Sequence, residues 1–427
     1  MSIQRAMYAG VSGLTAEAGA LGVVGDNVAN SNTIGFKQSR ANFANVLGAA
    51  VGGNEPGAGV RMTRPQQLFA QGALLNTGQA TDVALSGDGF LVVSGVVSGE
   101  NGTFYTRAGQ LGLRHDGVLV NADGLEVQGF AADGTGRFKT SMGRIELPSA
   151  PIPPKPTSTM KITANLDSSA TPPTAPWDPS NPSATSNLAT SMTVYDSLGT
   201  GHAVDVYFRK TGAGAWEYHV LAKGSDIEGG PPTGSVEIAG GSLTFDSAGA
   251  LESVASGPAA VSFVGATAAQ PLTFDFGTST AAGGTGLDGL TQYGSASSVS
   301  SQSQDGYASG DLSGIKIGAD GVVRGVYTNG QTIPAGQLAI AKFRANDGLG
   351  RAGQNLWIAT RESGEAAIGL VGSGGRASLI AGALEQSNVD ITQQFVELIS
   401  HQRAFQASSK TITTADQMLQ ELMNIKH

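Results

Sequence analysis

Apolar residues recur every seven positions at both ends of the chain. Met7, Leu14, Leu21 and Val28 fall seven apart, with Ile3, Val11 and Ala18 as a companion row. Near the other end Ile391, Leu398, Phe405, Ile412 and Leu419 repeat the pattern, with Phe395, Ile399, Leu422 and Met423 alongside. A 3.5-residue apolar period specifies a helix that buries a narrow seam against another helix. The first helix is predicted over residues 3–30, roughly 40 Å long at the α-helical rise. Asn27, Asn30, Ser31, Asn32 and Gly35 end it. The second opens at Asp390, followed three residues later by Gln393, a spacing close to a capping box. An isolated amphipathic helix usually packs on its own domain. Two heptad rows bracketing one chain point instead to helices that pair with each other and with neighbouring copies.

Between the helices the period changes to two. Val83, Leu85, the turn Gly87-Asp88-Gly89 and Phe90-Leu91-Val92-Val93 read as strand, turn, strand. Residues 117–130 form the clearest hairpin, Val118 to Val120, then Asn121-Ala122-Asp123-Gly124, then Leu125 to Phe130. Asp133-Gly134, Asp320-Gly321 and Asn329-Gly330 mark further short strands at barrel or sandwich spacing. Ten of the 17 prolines lie between Pro148 and Pro182, a density that predicts extended linker and a domain boundary. Alternation returns over 191–210, 243–245 and 272–276, and again over 307–358. The expected fold is mainly β with terminal α-helices, an outer β domain inserted into an inner β domain, plus a coiled-coil-like pair of terminal helices. Its expected parts are paired helices at 1–30 and 388–427, connectors at 31–75 and 372–387, an inner β domain at 76–149 and 289–371, and an outer β domain at 150–288. Gly48 to Gly59 is expected to be a flexible or extended connector, and Gly372 to Gly375 a hinge.

Composition narrows the function. At 427 residues the chain exceeds the size at which a single core stops growing, so two or three globular units are expected. Only 14% of residues are charged, against about 25% in average domains. The formal charge of -9 argues against a nucleic-acid groove, which needs clustered Lys and Arg. The absence of cysteine excludes disulfides, thiolate metal sites and a Cys nucleophile. No stretch approaches 18 apolar residues and the start lacks an unbroken apolar leader, so neither membrane insertion nor a cleavable signal peptide is expected.

Candidate chemistry is sparse. Gly348-Leu349-Gly350-Arg351-Ala352-Gly353 matches G-x-G-x-x-G, but Asn355-Leu356-Trp357-Ile358 after it reads as strand where a dinucleotide site needs a helix. A loop is the expectation there. His115, His202, His219, His401 and His427 have no metal-ligand spacing and no acids clustered with them in sequence. Asp82, Asp88, Asp116 and Asp123 sit in turns that an Asx turn explains. Neither a Gly-x-Ser-x-Gly elbow nor a P-loop is found. The expectation is a non-enzyme with no catalytic residue, no cofactor and no metal.

The ends carry a resemblance. Ala9-Gly10-Val11-Ser12-Gly13-Leu14 and Gly25-Asp26-Asn27-Val28-Ala29-Asn30-Ser31-Asn32-Thr33-Ile34-Gly35-Phe36-Lys37 resemble the N-terminal signature of the bacterial flagellar rod, hook and hook-associated protein family. Ser387-Asn388-Val389-Asp390-Ile391 and Gln402-Arg403-Ala404-Phe405-Gln406-Ala407 are similar to its C-terminal signature. Asn76-Thr77-Gly78, residues 82–90 and Thr106-Arg107-Ala108-Gly109 also match. Within that family the inserted β domain, Thr193-Val194-Tyr195-Asp196-Ser197-Leu198-Gly199, Gly306-Tyr307-Ala308-Ser309-Gly310-Asp311-Leu312 and Gly353-Gln354-Asn355-Leu356-Trp357 resemble the hook proteins. Asp26 departs from the pattern, which usually has Asn there.

The resemblance implies a structural subunit that self-assembles into a hollow, curved helical tube acting as a flexible universal joint between rod and filament. It implies a homopolymer of many copies at the flagellum outside the cell. The implied partners are the distal rod, the hook cap, the hook-filament junction proteins and a type III export apparatus. The assembly residues would be Ile3, Met7, Val11, Leu14, Ala18, Leu21 and Val28 on the first helix, and Ile391, Phe395, Leu398, Ile399, Phe405, Ile412, Leu419 and Leu422 on the second. Asn27, Asn30, Asn32, Gly35 and Phe36 belong to the family motif. The alternatives are another axial protein, distal rod or hook-filament junction, or a carbohydrate-binding or hydrolytic β domain on a polymerising stalk.

Overall fold

The computed structural model describes residues 3–46, 59–133, 137–148, 150–257 and 259–425. All of the expected connector Gly48 to Gly59 except Gly59, and Gly134 of the Asp133-Gly134 turn, lie outside the described residues, as do the side chains of Ile3 and Leu422. The chain divides into two units, residues 1–149 with 313–326 and 332–427, and residues 150–312 with 327–331.

The first unit holds both helices. Helix α1 (Ile3–Ala29) carries glycine at 10, 13, 19, 22 and 25, each worth about 1 kcal/mol less than Ala in a helix interior. Such a helix needs a packing partner. It finds helix α2 (Ile391–Ile425) running antiparallel to it: Gly10 faces Ile412, Glu17 meets His401, and Asn27 meets Gln394. Asp390 caps α2 by accepting hydrogen bonds from the amides of Thr392 at 2.8 Å and Gln393 at 3.2 Å. The Gln393 side chain turns instead to Glu397, so only half of a capping box forms.

A 12-stranded sheet dominates the rest of this unit, with Thr332–Lys342 and Glu126–Ala132 paired near its centre. Its apolar face is organised by Phe90, Tyr105, Phe343, Leu349 and Trp357, with Tyr105 and Phe343 edge to face at 4.8 Å. The Gly348–Gly353 stretch is not a loop: Gly350–Gly353 pairs with Leu356–Ile358 as a hairpin, because Gln354 and Asn355 adopt left-handed turn conformations. Two short ladders join outgoing and returning chain, Leu74–Asn76 with Ala383–Glu385 and Val83–Ser86 with Ser378–Ala381. The expected hinge at Gly372 to Gly375 is a closed turn, held where Gly372 N donates to Ala377 O at 2.9 Å and Ala377 N donates to Asp88 O at 2.8 Å.

The second unit is a sandwich of two five-stranded sheets. Alternate residues of Thr159–Asn165, Gly201–Gly212 and Ala215–Lys223 point inward, so Met160, Ile162, Val204, Val206, Phe208, Trp216 and Tyr218 share one core. Two expectations are corrected here. The Pro-rich stretch is not all linker: its prolines stop at Pro156 and resume at Pro172, and the Pro-free gap supplies Thr159–Asn165, which has strand neighbours on both sides. The unit also ends at 312 rather than 288, because Ser298–Gln304 pairs along that same strand, Ile162 opposite Gln302.

Candidate assembly interface

The seam between α1 and α2 is built from small residues. Gly10, Gly13, Ala16, Ala20, Val24 and Asn27 are the buried positions of α1 among the described side chains, spaced three and four apart. A Cβ on Gly10 would lie 2.8 Å from Ile412 Cγ1, and one on Gly13 would lie 2.8 Å from Ser408 Oγ. The expected heptad rows therefore do not carry this seam on α1. Met7, Leu14, Leu21 and Val28 flank it half-buried, while Val11 is 50% exposed and Ala18 is exposed. Close backbone approach favours glycine and alanine over larger apolar residues, and that decides which stripe turns inward.

On α2 the rows separate. Leu398, Ile412 and Leu419 lie half-buried along the seam, with Gln394 and Ala415 buried. Ile391 at 44%, Phe395 at 49%, Ile399 at 49% and Phe405 at 37% face outward. On α1 Tyr8 is 73% exposed. Ile391, Phe395 and Ile399, four apart on consecutive turns of α2, form an unsatisfied stripe, with Phe405 exposed further along the helix.

Below the helices their two roots are tied to the β body by a buried ion cluster. Lys37 Nζ donates to Glu385 Oε1 at 2.6 Å and to Ala70 O at 2.8 Å. Arg107 donates to Glu385 Oε2 at 3.2 Å and to Gly87 O at 2.7 Å. The side chains of Lys37 and Glu385 are fully buried and that of Arg107 is 3% exposed. Burial holds the Lys37 and Arg107 pKa values below their ordinary values, and the Glu385 carboxylate offsets only part of that. Two buried cations share one anion, and Gly72 N donates to the same carboxylate at 3.0 Å.

The motif residues gain physical roles from this geometry. Asn27 donates to Ser39 O at 2.7 Å and to Gln394 Oε1 at 2.9 Å, and accepts from Ser39 N at 2.8 Å, joining both helices to the chain that follows α1. Asn30 donates to Asp26 O and accepts from Thr33 Oγ1, closing the helix end. Gly35 turns with φ +70, and a Cβ there would lie 2.6 Å from the Arg107 carbonyl carbon. Phe36 is buried beneath the Arg351 guanidinium, 5.8 Å from the ring centroid. Asn32 is exposed. The charge of Asp26 meets Arg351 at 3.1 Å. Asn388 accepts from Gln38 N and donates to Leu68 O and Ala70 O.

Folding also brings acids to histidines that sequence left alone: His202 lies 3.2 Å from Asp196 and 3.3 Å from Asp226, His219 lies 2.7 Å from Glu237, and His401 lies 2.6 Å from Glu17. No group of three His, Cys, Asp or Glu able to hold a metal occurs among the described residues. The cavity of about 380 Å³ beside Phe36 and Trp357 holds a single carboxylate, Asp123, and so offers no carboxylate pair. Among the described residues no helix is long and apolar enough to cross a membrane.

Terminal helices on nested β units, rooted in this motif, define the class of the flagellar axial proteins, and comparison with known proteins agrees. Residues 7–37 match the flagella basal body rod protein family, 84–165 the flagellar hook protein FlgE/F/G D1 domain, 165–307 the flagellar basal body protein FlaE D2 domain, and 380–425 the flagellar basal body rod FlgEFG protein C-terminal family. The flagellar hook protein FlgE of Escherichia coli is 36% identical over 422 residues, covering 97% of this chain and 98% of that protein. The FlgE of Treponema pallidum is 36% identical over 99% of this chain and all of its own length. The crystal structure of Helicobacter pylori flagellar hook protein FlgE2 shares the fold at 15% identity with a TM-score of 0.51, over 73% of this chain and 100% of that one. The chain belongs to the flagellar hook protein family and is a structural hook subunit of the flagellum.

Proposed function

We propose that copies of this chain assemble through their terminal helices into the hollow, curved tube of the hook, with the helix pairs lining its channel and the β units forming its wall. The outward stripe Ile391, Phe395, Ile399 and Phe405 supports this reading most directly, because the area each of these side chains still exposes is worth about 1 kcal/mol when buried against a neighbour. The in-chain seam fixes the pair, and the stripe beside it supplies the contact with the next copy. The remaining heptad residues, Met7, Leu14, Leu21 and Val28, flank the seam where neighbouring pairs would close around it. The proposed partners beyond the chain itself are the distal rod, the hook cap and the hook-filament junction proteins, reached after export through the flagellar type III apparatus.

Purified chain carrying Phe395→Ser and Ile399→Ser tests this. Both side chains are half exposed, so the monomer's circular dichroism should be unchanged. Sedimentable polymer should be lost, and cells carrying the variant should show basal bodies without filaments. Polymer forming at the unsubstituted concentration would overturn the reading.

A further inference from the structure

Between the strands Thr159–Asn165 and Leu188–Tyr195 four consecutive triplets begin with proline: Pro173-Thr174-Ala175, Pro176-Trp177-Asp178, Pro179-Ser180-Asn181 and Pro182-Ser183-Ala184. Proline at every third position bars both a continuous helix and a paired strand. Residues 166–187 accordingly hold no strand and no α-helix, only the 3-10 turn Pro182–Ala184. A hydroxyl residue follows the proline in three of the four triplets, and Trp177 takes that place in the other.

This strap lies along the face of its own sheet opposite the core, where Arg209 and His219 alternate with the inward Phe208 and Tyr218. Trp177 stacks on the His219 ring at 4.0 Å, 9° from parallel, and its indole N–H donates to Glu237 Oε2 at 3.1 Å. Arg209 donates to Ala175 O at 3.0 Å, and Asn187 donates to Thr171 O at 2.9 Å. The backbone bends at Thr174 and Ala175 and turns at Pro179 and Ser180, so the hydroxyl positions do not follow Trp177 inward. Thr174, Ser180 and Ser183 are exposed, and their hydroxyls make no hydrogen bond among the described residues. Neighbouring hydroxyls are committed: Ser169 donates to Asp167, the buried Thr185 donates to Asn181 O, and Thr190 donates to Gln302.

We propose that Thr174, Ser180 and Ser183 are O-glycosylation sites, each taking a sugar from a nucleotide-activated donor through a glycosyltransferase of the cell. In the transfer the hydroxyl oxygen bonds to the anomeric carbon of the sugar as the bond from that carbon to the donor's phosphate oxygen breaks. The hydroxyl proton passes to a base of the transferase, and the nucleoside diphosphate leaves. Ser and Thr interleaved with Pro are the acceptor composition for such sugars. The pinned strap presents each hydroxyl with no ladder hydrogen bond to break first.

Charge selects sugar over phosphate. A phosphate adds a charge of about -1.5 to -2 and is held by Arg pairing. Residues 150–312 already hold fourteen Asp and Glu against five Lys and Arg. Their only arginine, Arg209, is engaged by Glu217 at 3.3 Å and by Ala175 O. An N-linked sugar on Asn181 is excluded as well, since Pro182 occupies the middle of its Asn-x-Ser triplet.

Intact-mass measurement tests this on the chain recovered from flagella of the cells that make it, beside the chain produced in a host without protein O-glycosyltransferases. The flagellar chain should be heavier than its sequence by one to three glycans, removed by alkaline β-elimination, and the host-produced chain should match its sequence. Thr174→Ala, Ser180→Ala and Ser183→Ala together should return the flagellar chain to its sequence mass. Because these hydroxyls bond nothing, the circular dichroism of that variant should be unchanged. A flagellar chain at its sequence mass, a mass increment of phosphate, or sugar retained in the triple variant would each overturn the proposal.

Discussion

Replacing Glu385 with alanine removes the anion that touches both Lys37 and Arg107. Lys37 and Glu385 are fully buried in their side chains and Arg107 is 3% exposed, so neither cation can recover water without opening the fold. Breaking a buried pair by deleting one partner costs about 3–5 kcal/mol, because a charge is left uncompensated in low dielectric. The Gly72 amide loses its acceptor as well. With a urea dependence of about 2 kcal/mol per molar, the midpoint of the first unit should fall by about 1.5–2.5 M. Trp357 fluorescence reports that transition, since Trp357 is buried in the apolar core beside Phe343 and Tyr105. Glu362→Ala is the control: its partner Arg64 lies 3.2 Å away, with the two side chains 61% and 72% exposed, and such pairs contribute about 0–1 kcal/mol. If Glu385→Ala shifts the midpoint no further than Glu362→Ala does, the ion cluster is not what fixes the helix roots to the β body.

Three further outcomes follow from the geometry. Gly35→Ala places a Cβ 2.6 Å from backbone at φ +70 and should cost about 1–3 kcal/mol, read as a lowered melting temperature of the monomer. Gly10→Leu drives a side chain into Ile412 and Ser408 and should cost about 1–3 kcal/mol through overpacking, seen as lost helical ellipticity with the β signal retained. Asp305 is buried enough to raise its pKa, but hydrogen bonds from Thr159 N, Lys155 Nζ and Ser158 outweigh that and hold it well below the ordinary carboxylate value. Its stabilisation is therefore complete above about pH 4 and lost as pH falls below that. Acid titration of Trp216 fluorescence should show the second unit opening, and Asp305→Asn should lower its stability at pH 7 while flattening the acid dependence.

The sequence made the terminal helices legible because their apolar positions repeat over many turns, and the hairpin at 117–130 because Asp123-Gly124 fixes its turn. It hid the in-chain seam. A search for large apolar residues finds Met7, Leu14 and Leu21, whereas the surface that closes on α2 is Gly10, Gly13, Ala16 and Ala20, small residues that are apparent only as a three-and-four spacing. Glu385 carried no local signal, since a single carboxylate after Ala383-Leu384 looks like any surface residue until the ladder with Leu74–Asn76 sets it beside Lys37. The prolines around 148–182 misled through density, because what matters for a strand is the length of the gap between them. Turn dipeptides marked where strands end but could not say that Ser298–Gln304 returns to pair with Thr159–Asn165, 130 or more residues away in the chain.

Hydrogen-deuterium exchange of the chain as monomer and as assembled polymer tests the central claim most directly, that the outward face of α2 is completed by another copy. Burying the exposed half of Phe395 and of Ile399 is worth about 0.7–1.5 kcal/mol each, about 1.5–3 kcal/mol together, and 1.4 kcal/mol is a tenfold change in an opening equilibrium. Amides over residues 391–405 should therefore exchange at least tenfold more slowly in polymer than in monomer. Equal rates in the two states, with polymer verified in the sample, would contradict the account.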